Sequence, residues 1–157
     1  MGEVRLAIQA QGGHVITHPN HIRVQAAWDA IDRGDLNPIG TMITPDVAMV
    51  HGPGAGPFAG SGEGVDRLVE MSLFFGEVFA GSFRQKGRCI YADDDWAIAV
   101  VHETGTAPDG ARFDNRALWI DRFTPEGMVD RIWTVDLDDS EMFSFWANNA
   151  RAFTSAH

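Results

Sequence analysis

Positive charge is scarce in this chain. Twelve Lys and Arg stand against twenty-two Asp and Glu, a formal charge of -10. A chain of that sign repels a phosphate backbone, which argues against nucleic acid as a partner. The acidic residues are spread out and form no tail, so the charge reads as a solubility device. Cysteine is scarcer still, because Cys89 stands alone. That rules out an intrachain disulfide framework and fits a reducing, cytoplasmic setting. Cys89 lies in the alternating stretch GRCIYA with no thiolate-stabilising motif around it, and reads as a packed thiol. No apolar run approaches bilayer length, so no membrane partner is expected. The N-terminus lacks the apolar core and cleavage site of a signal peptide.

Several catalytic signatures are also missing. The glycine-rich stretch MVHGPGAGPFAGSGEGVDRL, residues 49–68, has no Lys followed by Ser or Thr, so it is no P-loop. Gly54-Ala55-Gly56 is followed by Pro57, Phe58 and Ala59, which breaks dinucleotide-fingerprint spacing. There is no G-x-S-x-G elbow and no Cys-His constellation, which leaves nucleophilic hydrolysis unsupported. His14, His18 and His21 are spaced like helical metal ligands but straddle Pro19, and no H-E-x-x-H occurs. We therefore expect neither metal nor cofactor.

What is present is an ordinary core. The 157 residues match a single domain, and 45% apolar content with ten Phe and five Trp is enough to fill it. Asn20 reads as the N-cap of a first helix, with Val24, Ala27, Trp28 and Ile31 as its apolar stripe and Gly34 as its stop. Asp35 would cap a short second helix, LNPIGTMI, followed by a turn at Thr44-Pro45-Asp46 and a strand, VAMVH. Ser61 would open a third helix whose buried face includes Leu68, Phe75 and Phe79, ended by Gly81. Four segments of strand character follow, 82–92, 95–107, 111–123 and 127–138. The Pro-Asp-Gly and Pro-Glu-Gly separators are hairpin turns, so the four strands form an antiparallel meander. Helices segregated onto one face of such a sheet make an α+β architecture with room for an interior cavity. Residues 1–18 read as an irregular arm that Val4, Leu6 and Ile8 could pin, 19–147 as the single domain, and 148–157 as a tail.

The chemistry candidates follow from strand alternation. His51 stands at the end of a strand beside the glycine loop, where an imidazole can move protons near neutral pH; the bland alternative is a packed histidine. In the last strand Asp130, Ile132, Thr134, Asp136 and Asp138 share a side. An aspartate there that faced an apolar cavity would have its pKa raised; a solvated carboxylate is the alternative. In ARFDNRALWIDRF, Phe113, Asn115, Ala117, Trp119 and Asp121 share a side, and an inward Asn115 could bond a ligand carbonyl. His102 shares a face with Trp96, Ile98 and Val100, a site residue if that face is the cavity wall and a core histidine if not.

The order of elements, with AAWDAIDRGD, ITPDVAMVHGPGAGPFAGSGEGVDRL and MVDRIWTVDLDD, resembles the NTF2-like superfamily, in particular its SnoaL-like polyketide cyclase and ketosteroid isomerase group, over residues 20–146. The resemblance implies a cone-shaped, cystatin-like α+β barrel: a curved antiparallel sheet wrapped over three N-terminal helices, with the pocket at its open end and a homodimer formed through the sheet. It implies a general base at His51, where isomerases of the group carry a carboxylate, and a catalytic aspartate near the end of the last strand, at Asp136 or, in the other register, Asp138. The isomerase's oxyanion tyrosine has no counterpart, because Trp28 occupies that neighbourhood. The expectation is a cofactor-free enzyme acting on a hydrophobic, carbonyl-bearing small molecule by acid/base proton transfer, giving cyclisation, isomerisation or dehydration. His51 and Asp136 would be catalytic, Asn115 or His102 would orient the carbonyl, and Trp28, Phe58, Phe75 and Trp119 would form the wall. Two rivals stand beside it: a non-catalytic binding or assembly module of the same fold, and water addition to an epoxide, which needs a water held by several polar groups.

Overall fold

The computed structural model describes residues 17–153, with the side chains of 150–153 left out. The arm expected over 1–18, Val4, Leu6 and Ile8 included, lies outside the described residues except for Thr17 and His18. Helix α1 spans Pro19–Asp32 and α2 Asn37–Met42. His18, not Asn20, caps α1: its Nδ1 accepts from Asn20 N at 3.2 Å, and Pro19 occupies the first turn, where a missing N–H costs nothing. Asp35 accepts from Asn37 N at 3.0 Å, but the N-cap of α2 is Leu36, one residue later than expected.

Strand β1 runs Ile43–His51, so Thr44-Pro45-Asp46 is extended and not a turn. Pro45 has no N–H to give a ladder, and the pairing of β1 shifts register between Ile43 and Ala48. A turn of 3-10 helix follows at Pro53–Phe58, then β2 at Gly60–Glu63. Ser61 therefore belongs to a short edge strand that folds back on β1, with Val50 opposite it. Helix α3 begins only at Val65, after Gly64 turns the chain at φ 90°, and ends at Val78. The remaining strands are β3 (Arg84–Ala92), β4 (Trp96–Thr106), β5 (Arg112–Phe123) and β6 (Val129–Asp136). Their antiparallel meander is as expected.

Sheet order is β2-β1-β6-β5-β4-β3, with β1 parallel to β6. The result is a curved, unclosed sheet with helices on its concave side, an α+β fold. A fourth helix, α4 at Asp139–Phe153, crosses the boundary expected at 147. Asp138 Oδ1 accepts from Glu141 N and from Ser140 Oγ, both at 2.9 Å, and so caps this helix instead of facing the cavity. The Phe145 and Trp146 rings of α4 join Phe75, Phe79, Phe83 and Phe113 in one aromatic cluster that fills an end of the interior.

The inner face of β4 is made of small residues, Ala97, Ala99, Val101 and Gly105, and one acid, Glu103, all buried. Gly105 leaves space for the Phe79 ring, which a Cβ there would meet at 2.7 Å. The larger apolar residues of β4 lie on the outer face. Trp96 stacks beside Trp133 there at 5.7 Å, and Val50 and Val135 are nearly half exposed.

Candidate functional site

The interior of the sheet holds two lobes that share part of their wall. The apolar lobe, about 80 Å³, lies between α1, α2, α3 and the inner face of β5 and β6. Trp28 and Trp119 form one wall, edge to face at 5.2 Å. Gly87 lets β3 pass beneath Trp28, since a Cβ there would run into the indole. Val24, Met42, Leu68 and Ile132 complete most of the lining, and a single ionisable group, Asp121, enters it. Among the described residues no hydrogen bond or ion pair engages the Asp121 carboxyl. Burial alone pushes its pKa up to about 7.

The polar lobe, about 20 Å³, is lined by His51, Glu103, Thr134 and Asp136 and shares Met71, Ser72, Gln85 and Trp119 with the apolar lobe. That volume accommodates about one water-sized group. A third pocket, about 340 Å³, also touches Ser72 and Gln85 and is lined by Gly34, Gly76 and Gly81.

His51 is buried, 5% exposed. Its Nδ1 lies 3.2 Å from Thr134 Oγ1, which already accepts from Gly52 N at 3.0 Å. The other ring nitrogen, Nε2, is buried and has no partner among the described residues. Burial, with a smaller push from the Arg67 guanidinium, lowers the His51 pKa to about 4. The ring is therefore neutral at pH 7, with one N–H and one lone pair divided between its two nitrogens.

Asp136 faces the same lobe, as strand alternation requires, but its oxygens are occupied. Gly54 N donates to Oδ2 at 2.5 Å and Asn115 Nδ2 to Oδ1 at 2.8 Å. The same Asn115 nitrogen donates to Glu103 Oε2 at 3.0 Å, and Gln85 Nε2 donates to Glu103 Oε1 at 2.8 Å. Asn115 is inward but spent on carboxyls, behind the lobe wall. Gly54 sits so close that a Cβ would collide with Asn115 and Asp136.

The structure thus brings together His51, Asp136, Trp119 and Phe75 around the polar lobe and Trp28 and Trp119 around the apolar one. It does not bring in His102. That ring lies on the outer face, 2.7 Å from Asp114, because the large apolar residues flanking it cover the outside of the sheet. Phe58 packs on Phe74 at 5.6 Å and beneath Arg67 at 5.4 Å, away from both lobes, because the 3-10 turn carries it toward α3. Two residues not singled out in the sequence reading enter instead, Asp121 and Glu103. Alternation already placed Asp121 beside Trp119. Glu103 was hidden by the assignment of His102 to the inner face.

No group of three or more His, Cys, Asp or Glu able to hold a metal occurs among the described residues. His18 is 3.3 Å from Asp94, and His14 lies outside the described residues. No described helix is long and apolar enough to cross a membrane.

Comparison with known proteins agrees with this architecture. The chain superposes on a Xanthomonas campestris protein of unknown function with a cystatin-like fold, at 25% identity and a TM-score of 0.66, covering 80% of this chain and 95% of that one. Bal32a, from a soil-derived mobile gene cassette, matches at 21% identity and TM-score 0.70, covering 81% and 95%. IdmH of Streptomyces antibioticus, which has been proposed to be a polyketide cyclase, matches at 18% and 0.64, covering 83% and 99%. No curated protein matches the sequence. The sequence model of the SnoaL-like domain matches residues 24–132, well over half of the chain, so this protein belongs to the SnoaL-like family of the NTF2-like superfamily.

Proposed function

We propose that this protein is a cofactor-free enzyme that moves a proton next to the carbonyl of a small, uncharged, apolar molecule. The carrying observation is a bare Asp121 carboxyl in an apolar lobe, beside a second lobe where His51 presents an unpartnered ring nitrogen, Nε2. The strand register puts His51 beside Thr134, Thr134 opposite Trp119, and Asp121 two residues beyond Trp119. The two groups are then about 10 Å apart across the strands and about 7 Å along them at the backbone. A substrate whose body lies against Trp28 and Trp119 can put its carbonyl oxygen in the polar lobe and its adjacent C–H before Asp121.

In this reading Asp121 takes the proton and the C–H electron pair becomes the new C=C bond. The carbonyl π pair moves to oxygen, where His51 Nε2–H stabilises it. Proton return at the same or another carbon gives exchange or isomerisation. A base with a pKa near the working pH is well matched to such a step. The apolar lobe offers no cation, which favours neutral ligands over acids. The outer sheet face, with Trp96, Trp133, Val50 and Val135 exposed, is where we place a second copy of this chain in a homodimer. The lone buried thiol, Cys89, fits a cytoplasmic location.

The test is deuterium exchange from D2O into 2-tetralone, a neutral bicyclic ketone, followed by proton NMR. We expect enzyme-dependent exchange that Asp121→Asn abolishes. Absence of enzyme-dependent exchange, or its persistence in Asp121→Asn, removes the assignment.

A further inference from the structure

Beside the two lobes lies a larger space that the proposed reaction leaves unused. The third pocket, about 340 Å³, borders the apolar lobe of about 80 Å³ and the polar lobe of about 20 Å³, and Ser72 and Gln85 line all three. Three segments run from the apolar lobe into it. On α1, Trp28 and Ile31 line the lobe, and Ile31 with Arg33 and Gly34 beyond it lines the pocket. On α3, Leu68, Ser72 and Gly76 stand four residues apart on one face. Leu68 lines the lobe, Ser72 both spaces and Gly76 the pocket. On the β3 side, Gly87 passes beneath Trp28 in the lobe wall, Gln85 lines both spaces and Phe83 lines the pocket.

The boundary between these spaces is lightly held. The Ser72 hydroxyl donates to Leu68 O of its own helix at 2.9 Å, and Gln85 Nε2 donates to Glu103 Oε1 at 2.8 Å. Each side chain is tied to its own side, and no hydrogen bond joins the two. Gly76 also stands apart from the glycines of the lobe walls. A Cβ at Gly54, Gly87 or Gly105 would collide with a neighbour, whereas one at Gly76 meets nothing within 4 Å, and Gly76 has no positive φ. Glycine weakens a helix, and neither backbone nor packing requires this one. A longer side chain there would occupy the pocket beside Ser72. At the rim, Arg84 Nη1 donates to Gly81 O at 2.9 Å and to Phe83 O at 2.7 Å, which fixes the guanidinium. Its other nitrogens have no partner among the described residues and remain donors for an acceptor in the pocket.

We propose that the third pocket is the outer half of the substrate site and that the substrate is an elongated ketone. Its carbonyl end lies in the lobes. An uncharged chain bearing a hydrogen-bond acceptor passes between Ser72 and Gln85 and lies against Gly76 and Phe83, within reach of Arg84. For the end in the lobes this rests on the proton-transfer reading above; it adds Gly76 as a determinant of specificity.

Calorimetric titration, which needs no turnover, tests it with 2-tetralone and its 6-methoxy and 7-methoxy derivatives. At least one methoxy ketone should bind the parent protein about fourfold or more tightly than 2-tetralone does, the worth of one buried methylene-sized group. In Gly76→Leu, with folding checked by circular dichroism, the ratio of the two dissociation constants should fall to about one. In the parent protein, nuclear Overhauser effects should connect the methoxy protons to the Phe83 ring. Absence of any preference in the parent, a methoxy group beside Val24 instead of Phe83, or a preference that persists in Gly76→Leu overturns the proposal. The first two outcomes need no variant to fold. Preference without Asp121-dependent exchange sinks the proposed function and leaves the outer half of the site standing; exchange without preference does the reverse. Failure of all three ketones to bind overturns both.

Discussion

The two lobes share four wall residues, yet they treat an aspartate in opposite ways. Asp136 in the polar lobe is met by a backbone N–H and a side-chain amide. Asp121, on the inner face of the neighbouring strand, enters a lobe lined mostly by hydrocarbon and indole. A carboxylate that takes a fixed donor on each oxygen is held in place by those donors. A carboxyl left bare by burial is available for chemistry, and its pKa rises toward neutrality. Two side chains of one residue type thus differ by their neighbours alone, and in the proposed function one is framework and the other reagent.

The contrast breaks first, and with the largest expected effect, at Asp121. Asp121→Asn should reduce ketone exchange by about 10²–10⁴-fold, the range of a lost general base. The same substitution should alter stability in the opposite direction. With a pKa of about 7 folded and near 3.9 unfolded, Asp121 holds its proton longer in the native state. Its contribution therefore falls as pH rises from about 4 to about 7. Denaturant titrations across that window should show the variant gaining on the parent as pH increases; parallel curves would contradict the bare carboxyl.

Next comes His51. His51→Leu should cost about 10²–10³ in exchange, the loss of one preorganised donor. Nitrogen-15 NMR should find the ring neutral at pH 6 with its proton on Nε2. A ring that charges at pH 6, or carries the proton on Nδ1, would return His51 to the role of base. The framework side of the comparison is tested by Asp136→Asn, which puts an NH2 against the Gly54 or Asn115 donors. We expect a loss of about 1–3 kcal/mol in unfolding free energy. The smallest effect belongs to the outer face. His102→Ala should leave exchange unaltered and stability within about 1 kcal/mol, because its pair with Asp114 is exposed. A large loss of exchange there would mean that the wall of the cavity has been drawn on the wrong side of β4.

Much of the fold was legible before any coordinates. The four strands, their hairpin turns and the first helix follow from periodicity and from Pro and Gly positions. Two elements were not. Ser61 looked like a helix start, but β2 is an edge strand of GSGE that exists only because β1 lies beside it. Helix α4 went unread because the aspartate that caps it, Asp138, also continues the alternation of β6. At the site, alternation grouped Asn115, Trp119 and Asp121 on one side of β5 and Thr134 and Asp136 on one side of β6, and in the structure both sides face the interior. It failed at β4, where the rule that the more apolar face is the inner one reversed. The inside there needs small residues, since the Phe79 ring presses on Gly105, and the large ones were left for the outer surface. That reversal hid Glu103.

By itself the order of residues determined which side chains share a face, because a strand alternates and a helix repeats whatever surrounds it. Only the tertiary structure decided which face became the hollow, and which carboxyl in it found donors. Both depend on the curvature of the sheet and on segments distant along the chain: Gly54 from the 3-10 turn reaching Asp136, Asn115 bridging from β5, Trp28 from α1 closing over Trp119. Reactivity follows from those neighbours, since desolvation and hydrogen bonding set the charge of an acid and neither is written in its local sequence.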